Sequence, residues 1–293
     1  MIELMKELKT TISSVGVIGC GVAGKSMALA VAQAGYNVIL RTRRGLKGFS
    51  DFSDYIYREE LKKRLIIPSH ELLSRIKWTT ELHDVCASAQ IVIEAIPEDI
   101  TLKQKLFKQL DELCSYDTIL ATNTSSLSVK GIFKFVSNKK RVIGMHFFNP
   151  AHIMKLVEII KVPETSKDIL ETSLAFCKSL GKEPIVVPDT PGFIVNRILF
   201  PMLSEAIHAL EDGIGTPEEI DNAMKLGTNV PIGPLALCDL IGLDTCLIIL
   251  ENLRKRTGQK KYETPKLLKQ MVKNGFLGRK SGKGFYEYEN IKR

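Results

Sequence analysis

Cysteine pairs, metal-ligand spacings and long apolar runs are all missing from this chain of 293 residues. The six cysteines (Cys20, Cys86, Cys114, Cys177, Cys238 and Cys246) include no C-x-x-C pair and have no histidines at ligand intervals. Scattered through apolar segments, they read as small core residues in a reducing compartment, so a disulfide scaffold and a metal site are not expected. The longest apolar stretch, Leu235 to Leu250, is broken by Asp239 and Asp244, which argues against a membrane span. Met1 to Thr11 has mixed charge and no apolar core, so no signal peptide is expected and a cytoplasmic location is. The net charge of +8 favours anionic partners. Its lysines and arginines lack the aromatic interleaving of a nucleic-acid surface, and no nucleic-acid partner is expected.

What is present begins with a glycine cluster. Val15 to Ile18 reads as a buried strand, and Gly19-Cys20-Gly21-Val22-Ala23-Gly24 opens a small-residue helix running to Ala34. This is G-x-G-x-x-G between a strand and a helix, the arrangement that holds a dinucleotide diphosphate on helix N-terminal amides. A second strand, Tyr36 to Leu40, lacks the acidic residue that would grip the adenosine ribose of NAD and is followed by Arg41-Thr42-Arg43-Arg44. An arginine there can pair with a 2′-phosphate, so NADP(H) is favoured and NAD(H) remains open. A solvated basic turn is the alternative reading of the run.

Short apolar strands alternate with helical patterns through the first two-thirds of the chain, as in a doubly wound α/β sheet of the Rossmann type. Helices are expected over Tyr55 to Leu65 and Glu71 to Ile76, with Ser69 as an N-cap, forming a hairpin that projects from the sheet. Further strands are expected at Gln90 to Ala95, Thr118 to Ala121, Arg141 to Phe147 and Met154 to Ile160, with a helix over Leu102 to Cys114. From Pro191 the periodicity is helical: Phe193 to Glu211, a helix capped by Thr216-Pro-Glu-Glu219, Leu235 to Arg256, and Pro265 to Lys273. An all-helical C-terminal domain is therefore expected, giving residues 1–188 to dinucleotide binding and 189–293 to substrate and dimerisation.

Ligands in such sheets bind beyond the carboxyl ends of the strands, which places Glu98, Asn123 to Ser126 and His146 near one crevice. Of the five histidines, His70 and His83 read as surface residues, His152 as a solvated turn residue and His208 as packed within a helix. His146 differs, because it ends an apolar strand. Glu158 interrupts the next one, and a carboxylate among buried strand residues needs a partner. If the two strands lie side by side, Glu158 accepts from one imidazole nitrogen and leaves the other as a base. The alternative is a structural histidine, with Glu158 paired elsewhere.

Long segments carry a resemblance: Glu94-Ala-Ile-Pro-Glu98, Asn123-Thr-Ser-Ser-Leu127, His146-Phe-Phe-Asn-Pro150, Met154-Lys-Leu-Val-Glu158, Asp189-Thr-Pro-Gly-Phe-Ile-Val-Asn-Arg197 and Gly278-Arg-Lys-Ser-Gly-Lys-Gly-Phe-Tyr286. The chain resembles the 3-hydroxyacyl-CoA dehydrogenase family, especially its short single-function members acting on 3-hydroxybutyryl-CoA. The resemblance implies (3S)-3-hydroxyacyl oxidation or 3-oxoacyl reduction. His146 would be the acid/base and Glu158 its orienting partner, with Ser125 and Asn196 bonding the substrate near its reacting oxygen. Glu98, Lys103, Asn149 and Lys280 would stand near the cofactor, and the chain would be a homodimer. Thr42 stands where the family usually has its ribose-binding Asp, and Ala23 replaces a common Met. The segment from about 41 to 74 departs most, so no CoA-contacting residue carries over there. A substrate tethered to acyl carrier protein therefore remains an alternative to acyl-CoA. A non-catalytic dinucleotide sensor is a third reading, disfavoured by the presence of His146, Glu158 and Asn196.

Overall fold

The computed structural model of the chain describes residues 12–289, and the expectation about Met1 to Thr11 lies outside them. The first unit is built on an eight-stranded sheet in the order β3-β2-β1-β4-β5-β6-β7-β8. Its strands are β1 (Ser14–Ile18), β2 (Asn37–Arg41), β3 (Ile76–Thr79), β4 (Ile91–Glu94), β5 (Ile119–Thr122), β6 (Val142–Phe147), β7 (Leu156–Lys161) and β8 (Glu183–Pro188). All neighbours run parallel except β6 and β7, which are antiparallel. The parallel strands are near-continuous apolar runs because helices cover both faces.

The helices of this unit are α1 (Val22–Gln33), α2 (Gly45–Leu61), α3 (Ser69–Ser74), α4 (Leu82–Cys86), α5 (Ile100–Leu113), α6 (Val129–Ile132) and α7 (Lys167–Ser179). One core joins Met27, Leu29 and Val31 of α1 to Phe52 and Ile56 of α2, Leu72 of α3 and Phe176 of α7. The other joins Val85 of α4, Phe107 and Leu110 of α5, and Ile132 of α6. All six cysteines are buried. No helix among the described residues is long and apolar enough to cross a membrane.

The region after β2 departs from the sequence expectation. The first hairpin helix starts at Gly45, ten positions before Tyr55, where a positive φ turns the chain off the sheet. It ends at Leu61 because Lys63 adopts a left-handed conformation. Ser69 is not a cap. It is the first helical residue, and the Glu60 carboxylate accepts its N–H at 2.8 Å and its hydroxyl at 2.7 Å. Ile76 belongs to β3, an edge strand whose I-K-W-T alternation is too short to read as a strand. Nor does the pair simply project: Phe52, Ile56 and Leu72 are completely buried beneath it.

The second unit begins at Ile194, so residues 189–193, expected to open the helical domain, pack with the sheet unit ending at Phe193. Its helices are α8 (Val195–Glu211), α9 (Pro217–Thr228), α10 (Pro234–Ile241), α11 (Leu243–Thr257) and α12 (Lys266–Lys273). Thr216 and Glu219 form the reciprocal capping box that the sequence predicts. The expected single helix from Leu235 to Arg256 is two, because Gly242 takes φ +102°, outside the helical region. This unit has its own core, including Phe200, Leu203, Ile207, Leu235, Leu250 and Tyr262.

Candidate active site

The glycine turn brings β1, α1 and β4 together. At Gly19, where φ is +114°, a Cβ would stand 2.4 Å from the Ala95 carbonyl oxygen; at Gly24 it would stand 1.8 Å from the Gly19 oxygen. These two glycines are required by protein packing. At Gly21 a Cβ would meet nothing within 4 Å, so open space lies over the start of α1. That N-terminus has no side-chain cap and no acidic residue in its first turn. Its unpaired amides and open approach fit a dinucleotide diphosphate.

A cleft of about 530 Å³ runs over this turn, lined by Gly19 to Ala23, Arg41 to Arg44 and Ala95 to Pro97. Its three arginines are used differently. Arg41 Nε donates to the Thr80 carbonyl at 3.0 Å. Arg44 pairs with Asp51 at 2.8 Å and donates to the Cys20 carbonyl at 3.2 Å. Arg43 is exposed, with no hydrogen bond or ion pair to the described residues. Thr42 is buried; its hydroxyl accepts the Arg44 N–H and its side chain fills the space over Gly48.

Beyond β4 and β5 lies a buried ionic cluster. Lys103 Nζ stands 2.5 Å from Glu94 and 3.2 Å from Glu98, and donates to the Ile96 carbonyl at 3.3 Å. Glu94 also accepts from Thr122 Oγ1 at 2.7 Å. Burial raises the pKa of Glu94, with Lys103 opposing. Burial also presses upward on Glu98, but Lys103, Thr124 and Ser126 outweigh it and hold this carboxyl below its usual range. One Glu98 oxygen accepts from Thr124 Oγ1 (2.5 Å), from the Ser125 and Ser126 N–H groups (both 3.0 Å) and from Ser126 Oγ (3.0 Å). Asn123 Oδ1 accepts the Phe147 N–H at 2.8 Å, fastening the same loop to the end of β6.

That strand end carries His146. The antiparallel register of β6 and β7 sets His146 directly opposite Glu158, and Nδ1 lies 2.8 Å from Glu158 Oε2. Both side chains are buried, and the imidazole is flanked by Phe148 and Phe193 with ring centroids at 4.5 and 5.7 Å. Glu158 Oε2 accepts a hydrogen bond from Nδ1–H, which leaves Nε2 as the basic nitrogen.

The family model described as "3-hydroxyacyl-CoA dehydrogenase, NAD binding domain" matches residues 14–190, and the C-terminal domain model of the same family matches residues 192–288. The chain belongs to the 3-hydroxyacyl-CoA dehydrogenase family. It is an oxidoreductase of that family, with a nicotinamide dinucleotide as cofactor. It is 45% identical to 3-hydroxybutyryl-CoA dehydrogenase of Clostridioides difficile, over 93% of this chain and 98% of the relative. Human mitochondrial hydroxyacyl-coenzyme A dehydrogenase is 38% identical, over 96% and 93%. Among solved structures, (S)-3-hydroxybutyryl-CoA dehydrogenase from Ralstonia eutropha superposes with a TM-score of 0.87 at 42% identity, covering 95% of this chain and all of the other.

In this 3-hydroxyacyl-CoA dehydrogenase-family chain, the residues singled out in the sequence fall into groups. Gly19, Cys20, Gly21, Val22, Ala23, Thr42 and Arg43 surround one cleft, with Gly24 packed behind it. Glu98, Asn123 and Ser125 share one loop system, and His146 and Glu158 form one pair. Asn149 is exposed and precedes the cis peptide to Pro150. Lys103 is buried within the Glu94–Glu98 cluster, where it organises the loop from inside. Asn196, buried, and Lys280, ion-paired with Asp244, belong to the second unit. Two histidines correct the sequence reading. His208 is half exposed beside Glu211, since α8 turns that face outward. His152 is not solvated: its ring is completely buried by contacts distant in sequence. Glu94 was not singled out for the site, although it interrupts an apolar strand just as Glu158 does.

Proposed function

We propose that this chain interconverts (3S)-3-hydroxyacyl and 3-oxoacyl thioesters of the 3-hydroxybutyryl-CoA and acetoacetyl-CoA type, using NADP(H) in preference to NAD(H). The His146–Glu158 pair, 2.8 Å apart and buried, carries this reading. Relatives named 3-hydroxybutyryl-CoA dehydrogenase support the substrate class. The nicotinamide, when bound, supplies the hydride acceptor or donor for C3 of the substrate. His146 Nε2 removes the C3 hydroxyl proton in oxidation and returns it in reduction. Glu158 holds the ring in one tautomer and stabilises its charged form. Ser125 donates a hydrogen bond to the oxygen on which charge develops, a role that the resemblance also gives Asn196.

Arg43 supports the cofactor preference. It is the guanidinium in the cleft with no bond to the described residues, and a 2′-phosphate would give it a bidentate partner. Arg43→Ala is expected to raise the NADPH KM about 10- to 100-fold, the worth of a charge-assisted hydrogen bond, while the NADH KM stays within about twofold. An unchanged NADPH KM would remove Arg43 from the selection.

The reaction is tested by acetoacetyl-CoA reduction with NADPH and NADH at equal, subsaturating concentrations. Faster turnover with NADPH is expected. Faster turnover with NADH overturns the cofactor preference. No turnover with either, despite cofactor binding, moves the substrate to a carrier protein. A homodimer formed through the helical unit is also proposed, where Leu240 and Ile248 are about half exposed. Sedimentation should give the mass of two chains, and the mass of one would exclude the dimer.

A further inference from the structure

A second buried histidine follows the catalytic strand and has no part in the acid/base chemistry. The His152 ring has no exposed surface, so no substrate reaches it. Its Nε2 lies 3.1 Å from Glu59 Oε2 and its Nδ1 3.2 Å from Tyr55 Oη. Tyr55 and Glu59 are four residues apart on α2 and so face the same side of that helix. On α1, the Ser26 hydroxyl accepts the Ala151 N–H.

The donors in this cluster can be assigned. Burial presses the Glu59 pKa upward, but Lys62, His152 and Arg64 together hold it below its usual range, so Glu59 is ionised and only accepts. His152 Nε2 must then carry the proton that it donates. Burial lowers the basicity of His152 more than Glu59 raises it, with Lys182 and Arg64 adding to the effect, so the ring is neutral and Nδ1 accepts. The Tyr55 hydroxyl donates to Nδ1, and Ser26 accepts from Ala151. Each donor is used once. The loop is thus tied to α1 at Ala151 and to α2 at His152.

The elements it joins bear on both ends of the site. The first turns of α2 carry Asp51, which holds Arg44 in the nucleotide cleft. The loop carries Phe148, whose ring lies 4.5 Å from that of His146. We propose that His152 is a positioning residue that, through Tyr55 and Glu59, locks the loop after His146 to α2, so that the base and the adenosine end of the cleft are held in one fixed arrangement. This rests on the dehydrogenase reading above. A buried network in which every member is satisfied is rigid, and displacing a reacting group by an ångström costs up to about 10²-fold in rate.

The test uses Tyr55→Phe, His152→Leu and His152→Gln in the full chain. Tyr55→Phe deletes one hydroxyl and keeps the ring. It is expected to lower kcat about tenfold, leave the acetoacetyl-CoA KM within about twofold, and weaken NADPH binding about threefold. Binding is read from quenching of Trp78, the chain's single tryptophan, which stacks on Phe49 of α2. His152→Leu should follow Tyr55→Phe, while His152→Gln, which keeps one donor and one acceptor, should recover most of the loss. If His152→Leu does not fold, Tyr55→Phe decides alone. A folded Tyr55→Phe with wild-type kcat and NADPH affinity overturns the proposal, whatever its Tm. A wild-type chain that binds NADPH without reducing acetoacetyl-CoA overturns the substrate reading instead, and the Trp78 titration still decides whether the network holds α2.

Discussion

His146→Gln is expected to lower kcat between about 10²- and 10⁴-fold, the range that a positioned general base contributes. Glutamine keeps the size and a hydrogen bond toward Glu158 but has no titratable nitrogen. The binding of NADPH, followed through Trp78, should be unchanged, because the glycine turn and the arginine-lined cleft are built from other elements. Glu158→Gln should cost less, about 10²-fold, since the imidazole remains but loses the carboxylate that fixes its tautomer. Turnover of His146→Gln within tenfold of wild type would end the assignment of His146 as the base.

Lys103→Met is expected to destabilise the fold by about 3–5 kcal/mol, the cost of leaving a buried carboxylate without its partner. Glu94 has no exposed surface, and its ammonium partner stands 2.5 Å away. Urea unfolding measures the loss, and a change below about 1 kcal/mol would show the pair to be dispensable. Glu94→Gln combined with Lys103→Met should recover part of it, because the uncompensated charge is then gone. The two carboxyls respond to pH in opposite senses. Glu94 titrates above its unfolded value, so its contribution is present at low pH and is lost as pH rises through the folded pKa. Lys103→Met moves that pKa further up and should therefore be less damaging in mild acid than at neutral pH. Glu98 titrates below its unfolded value. Its contribution is present above the ordinary carboxylate range and is lost as pH falls through the folded pKa, which loosens the Thr124 to Ser126 loop.

The parts of the site written in local patterns are legible in the sequence. The glycine turn announces itself because strand, turn and helix are consecutive. His146 and Glu158 announce themselves as polar residues in apolar strands, leaving only the strand pairing to be settled. What escaped depends on distant partners or on conformation. His152 reads as a turn residue because its burial is created by Tyr55 and Glu59, more than ninety positions earlier. The start of α2 is masked by Gly45 and Gly48, poor helix formers tolerated because Phe52 and Ile56 are buried. Strand β8 is hidden by Pro184 and Pro188, which an edge strand accommodates. The departure of Arg43 from the other arginines was equally invisible, since all four residues of the run are simply basic or small in sequence.

The antiparallel pairing of β6 and β7 has a consequence for how the His146–Glu158 pair could change over time. His146 and Glu158 meet because their strands are in register, not because eleven residues separate them. Residues inserted between Asn149 and Lys155 would leave the facing pair intact, whereas a one-residue slip within either strand would send one partner to the opposite face of the sheet. The pairing itself is thus insulated from changes in loop length, although the Ala151 and His152 bonds that hold the loop are not. A longer loop would keep His146 facing Glu158 while changing how firmly the loop is held to α1 and α2.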